Sequence, residues 1–337
     1  MLGCRLYKTS RRQLYADIPS NLRDKQDGSR SHRYSDLRDA YLQMSTTPIS
    51  GGITSIVSAI SSLLLLYSGV LAGADLGNHT KQFTPNSEMS TADWSSPDEL
   101  DRTWQGSLVR IPNKHKVFAG QISDLPYEAL LDKRKLPTVI YLHGCSGIWW
   151  GTHIRLDFFA ENGFAVIAPA SFARSKYPKS CDSAIKRAGL YRETLKMRQY
   201  DALNAIKYAK QLDWVDARNI FLVGFSEGGI TSATVSTDLD SGVNARVIEG
   251  WTCHAEWSEY RGINASSSEP VLALVADQDP WFQNPWTRGS CGRYMNSDNG
   301  SRSVVYSTGP LVSRHSLLDD ADVQKLVLEF LQAHRVE

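Results

Sequence analysis

The 337-residue sequence lacks an excess of charge of either sign, with 37 Lys and Arg against 36 Asp and Glu and a net charge of +1. A general nucleic-acid-binding protein needs a strong basic excess on one face, so this balance argues against that class. Cysteine is sparse, with five residues, and the 24 glycines and 13 prolines are ordinary numbers for this length. These counts exclude a disulfide-dense miniprotein, a collagen and a disordered chain. A globular protein of one or two domains remains.

One stretch lacks charge altogether, from residue 40 to residue 74. Its most apolar part, residues 53–71, is long enough to cross a bilayer, which takes about 20 residues. It ends in Ala72-Gly73-Ala74, a pattern that signal peptidase cuts, and a charged residue follows at once. Residues 1–43, in contrast, carry nine basic and five acidic side chains.

This distribution predicts a polar basic extension over residues 1–43 and a signal peptide or membrane anchor over residues 44–74, with cleavage preferred over retention. A start at Met44 would give the more usual signal length. We therefore expect a protein that is exported, to the periplasm or the medium, and that contacts a membrane only through residues 53–74.

The remaining 263 residues alternate apolar runs with helical patterns, which predicts one α/β domain with a doubly wound, mostly parallel sheet and helices on both faces. The strand candidates are Thr138–Leu142, Phe164–Ala168, Ile220–Val223, Val271–Val275 and, more weakly, Val304–Tyr306. Apolar residues at helical spacing mark a helix around residues 202–209 and a last helix over residues 323–331. We place the domain at residues 107–337 and expect an irregular N-terminal arm over residues 75–106.

The strongest chemical motif is Gly224-Phe225-Ser226-Glu227-Gly228-Gly229, which follows a strand candidate and opens a helical segment. A G-x-S-x-G pattern in this context produces a turn so tight that its flanks must be glycine, and the strained corner lifts the serine hydroxyl above the sheet. The alternative is a glycine-rich turn without chemistry. Ser226 is the candidate nucleophile, and Glu227 is expected to favour the positive end of the helix.

A second motif, Tyr141-Leu142-His143-Gly144-Cys145-Ser146-Gly147, ends another apolar strand. Loops of this type place backbone N–H groups where a tetrahedral oxyanion develops. The N–H groups of Cys145 and Glu227 are the candidate donors. We expect His143 to brace the loop rather than to act as a base.

The candidate acid and base come later in the chain. Two aspartates, Asp277 and Asp279, follow the strand Val271–Val275, and a triad needs one carboxylate there to hold the histidine tautomer. Asp279 is preferred because a turn-forming proline follows it, and Asp277 is the alternative. His315 is the candidate base because the other downstream histidine, His334, falls at the far end of the last helix.

In this order, the segments GFSEGG, YLHGCSG, ADQDPWF and SRHS resemble the α/β-hydrolase superfamily, and the compact layout is most similar to the dienelactone hydrolase-like family. The resemblance covers residues 107–331. It implies the α/β-hydrolase fold with an eight-stranded sheet, Ser226 as nucleophile, His315 as base and Asp279 as acid. Dienelactone hydrolase itself uses a cysteine nucleophile and a glutamate near the oxyanion loop, so a serine here indicates hydrolysis of an ester or related acyl bond.

Four cysteines follow the expected cleavage point, and four allow three pairings. We prefer Cys145–Cys181 and Cys253–Cys291, because each would tie a loop on the catalytic side to a neighbouring one. Four reduced, buried cysteines are the alternative.

We expect no metal and no organic cofactor, because the histidines show no metal-ligand spacing and no phosphate loop is present. The expected partner is a small-molecule ester or acyl substrate, without nucleic acid. Two alternatives stay open. A serine peptidase or acyltransferase would use the same residues, and some proteins of this fold are non-catalytic binding proteins.

Overall fold

The fold is built on one sheet of eight strands. The computed structural model describes residues 83–113, 116–125, 134–238 and 242–337, so the predicted extension over residues 1–43 and export segment over residues 44–74 lie outside the described residues. The strands are β1 (Leu108–Pro112), β2 (Val117–Gln121), β3 (Leu136–Leu142), β4 (Ala165–Ala168), β5 (Cys181–Asp182), β6 (Arg187–Ala188), β7 (Val215–Phe225), β8 (Ala245–Glu249), β9 (Val271–Ala276) and β10 (Arg302–Tyr306).

The strand order in the sheet is β10-β9-β8-β7-β3-β4-β1-β2, and β5 and β6 form a separate hairpin. Neighbours from β10 to β4 are parallel, whereas β1 is antiparallel to both β4 and β2. The predicted mostly parallel, eight-stranded sheet is therefore confirmed. After β3 the chain continues to β4, and after β7 it continues to β8, in the opposite direction across the sheet. In α/β sheets the ligand crevice forms at the carboxyl ends of two neighbouring strands that diverge in this way.

Alternating side chains of the central strands face two separate cores. On β7, Phe221 and Val223 pack in one core with side chains of the helices Trp150–Glu161 and Ala321–Ala333. Ile220 and Leu222 point the other way, into a core that contains Ile206 of the helix Thr194–Ala209. Because both faces are covered, the central strands are apolar along most of their length, which is why they could be found in the sequence.

The α-helices cover both faces of this sheet. They are α1 (Ala92–Ser95), α2 (Pro97–Gln105), α3 (Trp150–Glu161), α4 (Thr194–Ala209), α5 (Glu227–Thr234) and α6 (Ala321–Ala333). None of the helices in the described part of the chain is long and apolar enough to cross a membrane.

The prediction of an irregular arm was wrong for residues 92–105, which form α1 and α2. Helix α2 begins with the Ser96 side chain accepting the N–H of Glu99, and Pro97 occupies the first helical position. Both are standard signals for the start of a helix. The arm also packs on the domain, since Trp94 is buried in a cluster with Phe172, Tyr177 and Met197.

Candidate active site

Ser226 lies at a strained corner between β7 and α5. Its backbone has φ 56° and ψ −117°, a left-handed conformation that is rare for a residue with a side chain. The corner is tight enough to require glycine on both sides. A Cβ on Gly224 would come within 2.0 Å of the Gly228 carbonyl oxygen, and one on Gly228 within 2.0 Å of the Leu142 carbonyl oxygen. The local geometry is that of a nucleophile elbow.

His315 lies beside Asp279. The Nδ1 atom of His315 is 2.7 Å from Oδ2 of Asp279, whose side chain is 1% exposed and also accepts the N–H of Trp281 through Oδ1. This contact favours the tautomer that carries its proton on Nδ1 and leaves Nε2 able to accept one. Nε2 is buried and has no hydrogen-bond partner among the described residues. Asp277 is exposed to solvent.

Aromatic side chains surround the His315 ring. The ring of Trp281 stacks on it with centroids 5.4 Å apart, and the rings of Phe225 and Phe282 lie 5.0 and 5.7 Å away. Packing on several sides leaves the imidazole little freedom to rotate, which helps to keep Nε2 in one direction. No motif in the sequence indicated this arrangement.

The loop after β3 lies against the serine corner. The register of the sheet pairs Leu142 with Gly224, so the two loops leave the sheet side by side. A Cβ on Gly144 would be 3.5 Å from the Cβ of Ser226. Cys145, Ser226 and Glu227 line one cavity, so both residues with a candidate oxyanion donor border the same space as the serine.

His143 is fully buried beneath this loop. Its Nδ1 is 2.8 Å from the Gly144 carbonyl oxygen, and the Arg198 guanidinium is 3.0 Å from the same nitrogen and donates to the His143 carbonyl at 2.5 Å. Burial, and secondarily the charge of Arg198, hold the pKa of His143 well below its usual value. These contacts describe a neutral histidine that braces the loop.

Glu227 takes part in the same buried network, which the sequence did not reveal. Its Oε1 lies 3.6 Å from a guanidinium nitrogen of Arg198 and 3.5 Å from the Tyr177 hydroxyl. Burial raises the pKa of the Glu227 carboxyl, although Arg198 opposes this effect. Its side chain therefore connects the serine corner to the supports of the loop after β3, beyond its expected place at the start of α5.

The cavity at Ser226 has a volume of about 320 Å³. Its aromatic lining consists of Tyr191, Trp251, Trp257, Tyr260, Trp281, Phe282 and Trp286. The hairpin of β5 and β6 supplies one wall with Lys186 and Arg187. Such a site would accept a small, largely apolar ligand.

Two disulfides join segments around this cavity, Cys145–Cys181 and Cys253–Cys291. The preferred pairing is thus present in the structure. The first disulfide ties the loop after β3 to β5, and the second ties the segment after β8 to the segment that follows Trp286. Among the described residues, no group of three or more His, Cys, Asp or Glu side chains could hold a metal ion.

Comparison with protein families identifies this part of the molecule. Residues 127–290 match the dienelactone hydrolase family. The matched domain belongs to that family. The predicted family is confirmed, and with it a hydrolase that acts on ester bonds. The match to the dienelactone hydrolase family includes Ser226 and Asp279 and ends before His315, so it does not cover the candidate base.

Solved structures with a similar fold are distant in sequence. A putative dienelactone hydrolase from Klebsiella pneumoniae subsp. pneumoniae has 15% identity and a TM-score of 0.44, covering 68% of this chain and 98% of its own. A dienelactone hydrolase-like promiscuous phosphotriesterase from metagenomic libraries has 15% identity, a TM-score of 0.42 and the same two coverages. A butyrate-bound esterase from Thermogutta terrifontis has 13% identity and a TM-score of 0.42, covering 67% and 88%. No curated protein matches the sequence.

Proposed function

We propose that this protein is a serine esterase in which Ser226 is the nucleophile, His315 the general base and Asp279 the residue that orients the base. The observation that carries the proposal is the pairing of a serine on a strained elbow with a nearby histidine whose Nδ1 is held by a buried carboxylate. The ring of Phe225, the residue before the serine, lies 5.0 Å from the His315 ring, which supports this pairing.

The reaction follows from these positions. Oγ of Ser226 bonds to the ester carbonyl carbon while its proton passes to Nε2 of His315, and the N–H groups of Cys145 and Glu227 stabilise the oxyanion. Collapse of the tetrahedral intermediate expels the alcohol, which takes the proton from Nε2. Water then attacks the acyl-enzyme with the same base and releases the acid.

The cavity favours a small ester with an apolar or aromatic group. Seven of its lining residues are aromatic, and the ring of Trp281 stacks on the His315 ring. The Lys186 ammonium lies 5.5 Å from the centre of the Trp281 ring. Aromatic walls bind planar apolar groups well because their rings stack. Esters of this kind are therefore the first substrates to test.

Labelling with a fluorophosphonate probe and turnover of short-chain nitrophenyl esters test the proposal. The wild type should be labelled and should hydrolyse the esters, whereas Ser226→Ala should do neither. Ser146→Ala is the matched control, since Ser146 lies on the facing loop and is exposed, and its labelling should equal that of the wild type. Absence of labelling in the wild type would favour a non-catalytic binding protein. Cleavage of peptides, or transfer to an added alcohol, in preference to ester hydrolysis would favour a peptidase or an acyltransferase.

We also propose that the protein is exported by residues 44–74. The protein has two disulfides. Disulfides are common in proteins of oxidising compartments and rare in those of reducing ones. N-terminal sequencing of the protein from its own cells should find Asp75 or a residue close to it. A sequence that begins upstream of Met44 would contradict both cleavage and a start at that methionine.

A further inference from the structure

Glu249, the last residue of β8, contacts both halves of the proposed catalytic machinery. Its carbonyl oxygen accepts the backbone N–H of Ser226 at 2.8 Å. Its carboxylate oxygen Oε1 accepts the backbone N–H groups of Leu317 and Leu318 at 2.7 and 2.8 Å, in the loop just after His315. One residue therefore binds the nucleophile corner with its main chain and the histidine loop with its side chain.

A buried arginine fixes the direction of that carboxylate. Nη2 and Nε of Arg155 on α3 donate to the two oxygens of Glu249 at 2.8 and 3.2 Å, and both side chains are at most 2% exposed. Nη1 of Arg155 also donates to Asp319 at 2.9 Å. Burial lowers the pKa of Arg155, but its neighbours together, Glu249 first among them, raise that pKa above its usual value, so the guanidinium stays charged. A two-point contact of this kind leaves the carboxylate one orientation.

The next residue, Gly250, touches His315 directly. It has φ 65°, and a Cβ there would lie 3.0 Å from the His315 carbonyl oxygen and 3.1 Å from Cε1 of its ring. The Arg155 guanidinium also lies 4.8 Å from the centre of the Phe225 ring, which packs against His315. Glu249 and Gly250 thus connect the serine corner to His315 by direct contacts.

We propose that Glu249, held by Arg155, is a positioning residue that sets His315 in register with Ser226. This inference rests on the proposed roles of those two residues. The carboxylate acts as a hydrogen-bond acceptor for the histidine loop, and the arginine serves to aim it. A displacement of the base by about 1 Å costs roughly a hundredfold in rate, so loss of the acceptor should lower kcat rather than raise KM.

Two double variants separate the acceptor from the charge. Arg155→Met/Glu249→Leu removes the buried ions and the acceptor together, whereas Arg155→Met/Glu249→Gln removes the ions and keeps an amide oxygen facing Leu317 and Leu318. We expect about a hundredfold loss of kcat in the first and recovery to within about threefold of wild type in the second. Equal losses in both would overturn the proposal.

A second buried pair provides a matched control. Arg246 and Glu269 are at most 1% exposed in their side chains, and Glu269 likewise accepts two backbone N–H groups, from Val243 and Ser266. They lie where β8 and β9 begin, at the edge of the sheet opposite the serine. Arg246→Met/Glu269→Leu should change stability and leave kcat of the folded protein within about twofold. A fall in kcat as large as that of the Glu249→Leu double variant would assign both pairs a purely structural role.

A double-mutant cycle with His315→Ala provides the decisive readout. Intact-mass measurement gives the rate at which a fluorophosphonate modifies Ser226. This rate should fall about a hundredfold when Arg155→Met/Glu249→Leu is introduced into the wild type. It should fall less than about twofold when His315 is already absent. Equal losses in both backgrounds would overturn the proposal. If Arg155→Met/Glu249→Leu does not fold, Gly250→Ala replaces it, because the added methyl group presses on His315. The same two changes in modification rate are expected. A wild type that is never modified would instead refute the proposed function.

Discussion

Replacing Asp279 with asparagine removes the negative charge beside His315 and keeps the size of the side chain. The structure indicates how the new amide would be oriented. Oδ1 of Asp279 accepts the backbone N–H of Trp281 at 3.0 Å, so the amide oxygen belongs at that position. The NH₂ group then faces Nδ1 of His315, where Oδ2 now lies 2.7 Å away.

The consequence is a change of tautomer. With a donor opposite it, Nδ1 must act as the acceptor, so the proton moves to Nε2, the nitrogen that should receive the serine proton. Loss of tautomer control and of charge stabilisation together costs about 10⁴-fold in kcat in a serine triad. That factor corresponds to about 5.5 kcal/mol of transition-state stabilisation.

Asp277→Asn is the comparison that makes the experiment specific. Asp277 is two residues away, has the same side chain and is exposed. The kcat/KM of Asp277→Asn should therefore stay within about twofold of wild type. Steady-state hydrolysis of a nitrophenyl ester gives kcat/KM for both variants, and thermal unfolding shows that each is folded. If Asp279→Asn kept more than a tenth of the activity, or if Asp277→Asn lost as much, the assignment of the acid would be wrong.

Three other predictions concern the supports of the site. Burial, with the charge of Arg198, keeps the pKa of His143 low, so below about pH 6.5 the unfolded chain takes up the proton more readily than the folded one and stability falls as the pH is lowered. In urea unfolding the loss between pH 6.5 and 5 should be at most about 2 kcal/mol, and His143→Gln should show less pH dependence. Cys145→Ser/Cys181→Ser removes the disulfide between residues 36 apart, so the free energy of unfolding measured in denaturant should fall by about 4 kcal/mol. It should also lower kcat more than it changes KM, and an unchanged kcat would show that the disulfide does not support the oxyanion loop. Ser96→Ala removes the N-terminal cap of α2 and should cost about 1 kcal/mol with unaltered kinetics; no loss of stability would mean that the cap contributes nothing.

The sequence predicted the parts of the fold in which local pattern and burial agree. Strands β3 and β9 are buried on both faces, and their residues are almost continuously apolar. Strand β8 escaped this reasoning because Arg246 and Glu249 interrupt its apolar run, although both side chains are buried and paired. Helix α2 was missed for another reason, since Leu100 and Trp104 are its only large apolar residues.

The candidate site was predictable where a motif fixes both residue and conformation. The spacing of Gly224, Ser226 and Gly228 requires a tight turn, and the structure has one. Between Asp277 and Asp279, in contrast, the sequence indicated a preference only through the proline that follows Asp279. Burial and the contact with His315 distinguish the two carboxylates in three dimensions. Residues such as Arg198 carry no local signal at all, because their partners lie far away in the chain.

The position of Glu249 shows why burial of a charge does not by itself identify a functional residue. A buried ion pair is weak evidence for stability, since apolar side chains of similar volume often serve as well. By that criterion the pair with Arg155 and the pair of Arg246 with Glu269 are equivalent, because all four side chains are at most 2% exposed. The difference lies in what each carboxylate holds. Glu269 binds backbone N–H groups far from the serine, whereas Glu249 binds the loop that carries His315. If the loop contact sets the base in place, the two pairs must differ in their effect on kcat even where they cost the same in stability.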